Sequence, residues 1–339
     1  MDVASLMEAD EACAGGWQPF QFGLVAKLCM GIFNILSPVL LLVVLGIILA
    51  RVRFAGPVFM GELNRFTFYV ALPASLFRTA AISGDSGPEV AGILGTVLSV
   101  TFLAAVAGWL TSVALKLPST SHAAVSQSSF RANLAYIGLP VLVYAFEGLP
   151  DGKSHFATAV VCMAVLTSTY NVLAIIVLQA GRHQLSWSAV KPGVRALFTN
   201  PLLISCAAGL IFNALDWSLP LFMDRTLETL GAAAVPMALT CIGGSIAFIK
   251  LGKNIAGMAA AVALKLVFVP ALVFAIGTLS GLATVDLRIA MVFASCPTAA
   301  AAFVMARQME ADEAVASGSI VLSTIFSVLA LPLALWLTR

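Results

Sequence analysis

Between Met30 and Leu337 the chain passes through ten apolar stretches, most of them as long as a bilayer-crossing helix, joined by short polar connectors. They lie near residues 30–50, 63–82, 90–114, 122–146, 156–179, 200–216, 226–249, 255–279, 286–308 and 314–337. A chain that crosses lipid this often must satisfy its backbone within each span, which for runs of this length means helices. Composition agrees: 60% of the 339 residues are hydrophobic and 10% are charged, with mean hydropathy +1.02, whereas soluble domains are roughly a quarter charged. The expectation is an all-α integral membrane protein of ten transmembrane helices with the lipid bilayer as its principal partner. The longest connector, residues 180–199, has no room for a catalytic domain, and no catalytic residues are assigned.

A net charge of +2 without any basic run gives no reason to expect nucleic acid as a partner. Cys13, Cys29, Cys162, Cys206, Cys241 and Cys296 are scattered, with no CxxC pair or Cys/His cluster, so neither a metal, another cofactor nor a disulfide framework is expected. His122, His155 and His183 lie far apart near span ends and read as interface residues. Residues 1–29 read as an N-terminal tail, acidic at Asp2, Glu8, Asp10 and Glu11 and lacking the basic start of a signal peptide.

Two spans carry polar residues and a proline interruption. Span four holds Gln127, Ser128, Ser129, Arg131 and Asn133 and reaches Gly138-Leu139-Pro140; span nine reaches Ser295-Cys296-Pro297-Thr298. Proline lacks a backbone donor and crowds the preceding turn, so a helix is expected to stop near Gly138 and restart at Pro140, and likewise at Pro297. Freed backbone groups at membrane depth are tolerated only against protein or a water-filled cavity. Paired interrupted spans in matching places are the best sequence pointer to a transporter's site, although two simple kinks would look the same. Each restart would aim free N–H groups and a positive dipole end at the midplane, an anion site without a dedicated charge. Asn133, Gly138, Leu139, Pro140, Val141, Ser295, Cys296, Pro297 and Thr298 are therefore the expected substrate-binding residues. Asn133 could instead be glue between helices.

Lys265 is the one charge deep inside an apolar span. An intramembrane charge is a functional hypothesis by default: it could offset substrate charge or couple protons, or else snorkel or satisfy carbonyls freed at a break. Arg131 and Arg307 read as anchors or vestibule charges nearer the span ends. The acidic residues lie near span ends, so the paired carboxylates of many cation exchangers are missing.

The chain repeats itself. Pro38, Gly46 and Pro73 recur as Pro201, Gly209 and Pro236, each 163 positions on, and Pro140 and Pro297 are 157 apart. Residues 30–179 and 200–339 are thus expected to be two five-helix repeats joined by a cytoplasmic linker at 180–199. An odd number of spans makes them inverted, with broken helices four and nine crossing. One set of loops carries ten basic residues (Arg51, Arg53, Arg65, Lys116, Arg182, Lys191, Arg195, Lys250, Lys253, Arg307) and the other six (Lys27, Arg78, Lys153, Arg225, Arg288, Arg339). The positive-inside rule puts the first set in the cytoplasm and both termini outside the cytoplasmic membrane.

Several of these pieces resemble the auxin efflux carrier family, bacterial members and plant PIN-FORMED exporters alike. They are Asn64-Arg65-Phe66 with Pro73; Asn133-Leu-Ala-Tyr-Ile-Gly-Leu-Pro140; Lys265 five before Pro270; Pro297 with Phe303-Val-Met-Ala-Arg307; and Ala330-Leu-Pro332. The resemblance runs from about Met30 to the C-terminus. It implies ten helices in two inverted repeats, a scaffold and a mobile transport part, a crossover at Pro140 and Pro297, and elevator-type alternating access. It also implies a small organic anion as substrate: auxin in plants, dicarboxylates such as malonate or malate in some bacterial relatives. Lys rather than Arg at 265, Pro236, Thr298 and the short connector at 180–199 depart from the plant pattern. A sodium-coupled symporter of the bile-acid type is the alternative on the same crossover plan, a membrane-embedded enzyme a more distant one, and a homodimer stays open.

Overall fold

The computed structural model describes residues 19–82, 88–182, 198–248 and 254–339, with Lys191 and Arg195 between them. The described residues form twelve continuous helices. They are α1 (Pro19–Arg51), α2 (Pro57–Ile82), α3 (Pro88–Ala114), α4 (Ser119–Phe130), α5 (Leu134–Phe146), α6 (Gly152–Gly181), α7 (Pro201–Ala214), α8 (Leu221–Phe248), α9 (Ile255–Leu279), α10 (Thr284–Ser295), α11 (Ala301–Gln308) and α12 (Glu313–Leu337). Every expected span falls on one of them, or on two where a span is interrupted. The first helix starts at Pro19, well before the expected Met30. The rest of the expected tail, most of the linker at 180–199 and His183 lie outside the described residues.

Helices α3, α6, α8, α9 and α12 are long and apolar enough to cross a membrane. Their outward faces are greasy: Phe102, Val106 and Leu110 on α3 and Ile325, Leu329 and Trp336 on α12 are exposed. The interior carries the polar residues instead, with Gln127, Ser128, Arg131, Lys265 and Ser319 all buried. That inversion suits a chain solvated by lipid, where polar side chains turn inward to find partners.

Helices α1, α2, α7 and α8 pack on one another as one group, and α3–α6 with α9–α12 form a second. Glycine lets the first group close up. A Cβ at Gly46 of α1 would stand 2.1 Å from the Thr240 carbonyl oxygen of α8, and one at Gly243 of α8 would stand 1.9 Å from that of Val43. Gly209 of α7 does the same against Phe77 of α2, 2.5 Å from its carbonyl oxygen. Among lipid tails there is little hydrophobic drive to associate, so close backbone approach supplies the packing energy.

Three of the described helices contain a π-turn: Thr67–Ala71 in α2, Leu134–Gly138 in α5 and Leu264–Phe268 in α9. Each lies just ahead of a proline (Pro73, Pro140, Pro270), and the residue whose carbonyl that proline would crowd, four positions back, is the middle of the turn. Widening the turn to i→i+5 bonds, Leu72 to Thr67, Leu139 to Leu134 and Val269 to Leu264, relieves the clash while the helix continues.

Candidate functional site

The π-turn corrects the expected position of the first break. Gly138-Leu139-Pro140 does not interrupt the helix, because the widened turn absorbs the proline and α5 runs through it. The chain leaves helical geometry earlier, at Arg131 (ψ 92°) and Asn133 (φ −85°, ψ 71°), between α4 and α5. The second break falls where expected, with Cys296 extended (ψ 142°), but its helix restarts at Ala301 rather than at Pro297.

The two breaks meet. Ala132 and Thr298 form an isolated antiparallel bridge, with the Asn133 amide donating to the Pro297 carbonyl at 2.8 Å and the Ala299 amide donating to that of Arg131 at 2.9 Å. Each extended segment thus supplies the partners that the other's interrupted helix lacks, which is how non-helical backbone survives in a buried place. Side chains complete the join. The Thr298 hydroxyl donates to the Ser128 carbonyl at 2.9 Å, its amide donates to the Ser323 hydroxyl at 2.9 Å, and the Gln127 carboxamide donates to the Ala302 carbonyl at 3.0 Å.

Of the expected site residues, Asn133, Pro297 and Thr298 come together at this bridge. Gly138 lies against Cys296 and Phe293, since a Cβ there would stand 3.2 Å from the Cys296 sulfur. Ser295 is buried, and its hydroxyl has no hydrogen-bond partner among the described residues. Pro140 and Val141 are buried in the body of α5, and Leu139 alone of the set lines the large cavity described below. The Asn133 side-chain amide makes no hydrogen bond to any described residue, and the residue as a whole is 8% exposed. With α5 beginning at Leu134, the amides of Leu134, Ala135 and Tyr136 are the free N-terminal donors of that helix, most of two turns earlier than Pro140 would have placed them.

Lys265 sits in the π-turn of α9, fully buried, and its ammonium donates to the Ala294 carbonyl at 2.6 Å. A cation on the last turn of α10 meets both a carbonyl the interruption frees and the negative end of that helix. The reading of Arg131 as a span-end anchor is overturned. It is 5% exposed at the break itself, with its guanidinium donating to the Tyr170 carbonyl and the Asn171 side-chain oxygen of α6. With the interruption at Arg131–Asn133 rather than at Gly138–Pro140, Arg131 lies at the break instead of well before it. Arg307 is exposed.

A cavity of about 1100 Å³ opens between the two helix groups. One wall is α2 and α8 (Ser75, Arg78, Glu228, Pro236), the other α5 and the start of α6 (Ala135, Leu139, Tyr144, Lys153). Ala135, two residues beyond Asn133, is the lining residue nearest in sequence to the break. Arg78, which reads in the sequence as one more loop charge, lines this cavity; its sequence signal is a position five beyond Pro73.

A second polar cluster fastens the other end of α4. Asp312 accepts from the Ser121 hydroxyl at 2.6 Å, the Asn254 amide at 3.0 Å and the backbone of Ala314 and Val315. Burial pushes its carboxyl up, but these four donors together outweigh that and hold it below the usual carboxylate range.

A mostly apolar helical bundle in which two interrupted helices meet, with a cavity between two helix groups reaching to within two residues of one interruption, is the build of a solute carrier. Comparison with known proteins gives the same class and narrows it. The family model for membrane transport proteins matches residues 31–336, so this chain belongs to that family, the auxin efflux carrier family of membrane transporters, and is a multi-pass membrane protein rather than an enzyme. A protein of Rhizobium meliloti named "Putative malonate transporter" is 27% identical over 326 residues, covering 91% of this chain and 96% of its own length. An uncharacterized transporter of Methanothermobacter thermautotrophicus is 27% identical over 90% of this chain and 97% of its own. One from Methanocaldococcus jannaschii is 22% identical over 81% and 88%.

Proposed function

We propose that this chain is a secondary transporter that moves a small organic dicarboxylate of the malonate type across the cytoplasmic membrane by elevator-type alternating access. The observation that carries the reading is the cavity between the two helix groups, which runs along α5 to within two residues of the break. In this reading α1, α2, α7 and α8 are the scaffold, and the second group, which holds both interruptions, carries the substrate past it. The free amides at the start of α5 and the unpartnered Asn133 side chain are the donors for a carboxylate. The name of the Rhizobium meliloti relative supports malonate as the first substrate to try.

The same reading takes the ten spans as two inverted five-helix repeats, with both termini outside and the cavity open to the outside. Gly46 and Gly209, 163 positions apart, support the repeat because each lets the first helix of its half close on a helix of the other half, Gly46 on α8 and Gly209 on α2. Ten spans remain the count only if α4–α5 and α10–α11 each make one crossing.

Two measurements test the proposal. A thermal-shift series of mono-, di- and tricarboxylates on purified protein should give its largest rise with malonate or a close homologue, since a bound ligand stabilises by mass action. Single cysteines at Lys153 and Arg182 should label from opposite sides of the membrane, with Arg182 cytoplasmic. No shift with any carboxylate removes the substrate class, and labelling of both from one side removes the topology.

A further inference from the structure

We propose that Arg78 is the docking cation at which a dicarboxylate enters the cavity, and that Asp224 and Glu228 hold it ready by standing in for the substrate's carboxylates. The inference rests on the dicarboxylate reading above and adds a site that the two interrupted helices do not contain.

Arg78 stands in the cavity-facing row Ser75, Arg78, Thr79, Ile82 of α2. Its Nε donates to Asp224 Oδ1 at 2.7 Å and its Nη2 to Asp224 Oδ2 at 3.1 Å, a two-point fork, while Glu228 one turn along α8 comes within 3.4 Å of Nη2. One guanidinium thus faces two carboxylates one helical turn apart, the arrangement it would make with a two-headed anion. The clamp is not sealed. The Arg78 side chain is 24% exposed, and its Nη1 makes no hydrogen bond to any described residue, which leaves one edge of the fork for an incoming carboxylate. Across the cavity stands Lys153 of α6, exposed and without an ion-pair partner among the described residues.

The two cations belong to different helix groups, so a dicarboxylate reaching both would contact both walls. The acids on α8 have two effects in this arrangement. They fix the guanidinium in position, and they compete for it, so that the anion is held weakly enough to move on toward the α5 N-terminus. A clamp whose only purpose is to tie α2 to α8 makes a different forecast. Neutralising its acid would loosen the protein and leave anion affinity unchanged.

The experiment measures malonate binding to the purified full-length protein by calorimetry at low and at physiological salt. Asp224→Asn frees the fork and should tighten binding roughly two- to fivefold, the range of a partly exposed ion pair. Arg78→Gln should weaken it by about tenfold, as loss of a charge-assisted hydrogen bond does, and should flatten its salt dependence. Because Arg78→Gln orphans two acids, the double variant Arg78→Gln/Asp224→Asn removes cation and acid together and should bind as weakly as the single. Asp224→Asn with unchanged or weaker affinity, or a double variant that binds like the wild type, overturns the docking role while the dicarboxylate reading stands. A wild type that binds no carboxylate at all overturns both.

Discussion

Pro140 and Pro297 look alike in the sequence and behave differently in the fold. Both follow polar residues in an apolar span, yet α5 continues through Pro140 while the chain at Pro297 is extended. The difference lies in what the neighbouring backbone can find. Ahead of Pro140 the clash is absorbed within the helix by one widened turn, as ahead of Pro73 and Pro270. At Pro297 an extended partner strand, Arg131–Asn133, offers a carbonyl to Ala299 and takes the Pro297 carbonyl for its own amide. A proline by itself kinks or widens a membrane helix; a second interruption at the same depth is what lets one open.

The largest expected effect comes from pushing the two regions apart. Gly138→Leu would drive a side chain into Cys296 and Phe293, and overpacking of this kind costs about 1–3 kcal/mol or more; loss of monodisperse folded protein in gel filtration is the readout. Asn133→Ala should weaken carboxylate binding by about 1.5–3 kcal/mol, the size of a hydrogen bond to a charged group. Its melting temperature should stay near wild type, since the side chain has no described partner to lose. An early melt with normal binding would instead make it glue between helices.

Lys265→Met tests the second break. It leaves the buried Ala294 carbonyl without its donor, which costs about 1–3 kcal/mol of stability, and Lys265→Gln should recover part of this by still reaching the carbonyl. If Lys265→Gln keeps stability but weakens anion binding at every pH, the ammonium also offsets substrate charge. If it binds normally but loses the pH dependence of transport, it couples protons.

A smaller effect separates the bridge from the fastening at the other end of α4. Asp312 has its carboxyl held low in the folded protein, so it contributes stability that is present above its unfolded value and is lost as pH falls through the folded one. Asp312→Asn should therefore be less stable than wild type at neutral pH, and the gap should close in acid melts. A gap constant with pH would mean the charge is irrelevant there. The smallest effect belongs to Pro140→Ala. If the π-turn already absorbs the proline, folding and binding should change by less than about 1 kcal/mol, whereas a proline that truly broke the helix would be needed to keep the break open.

Much of this was legible beforehand because each feature is local or periodic. Apolar runs of bilayer length mark helices without tertiary information, and the ends of α9 match the expected 255–279. The recurrence of Pro38, Gly46 and Pro73 as Pro201, Gly209 and Pro236 singled out Gly46 and Gly209, which do make close helix contacts. The prolines marked the interrupted spans but misplaced one interruption by most of two turns. Sequence cannot tell a widened turn from a break, because that choice depends on acceptors far along the chain.

What the sequence determined by itself is the kind of molecule: an all-helical membrane protein with polar residues confined to a few inward places, because lipid forces each span to satisfy its own backbone. It also named the family, through motifs that need no structure to be read. Tertiary structure alone decided which backbone atoms open, pairing Ala132 with Thr298 rather than Pro140 with Pro297. It put Arg131 at the break and Lys265 on the Ala294 carbonyl, and it turned Arg78 toward a cavity that α2 shares with Asp224's helix, 146 residues further along the chain. Those placements follow from which carbonyls and carboxylates a buried donor meets, and such meetings exist only once distant segments have packed.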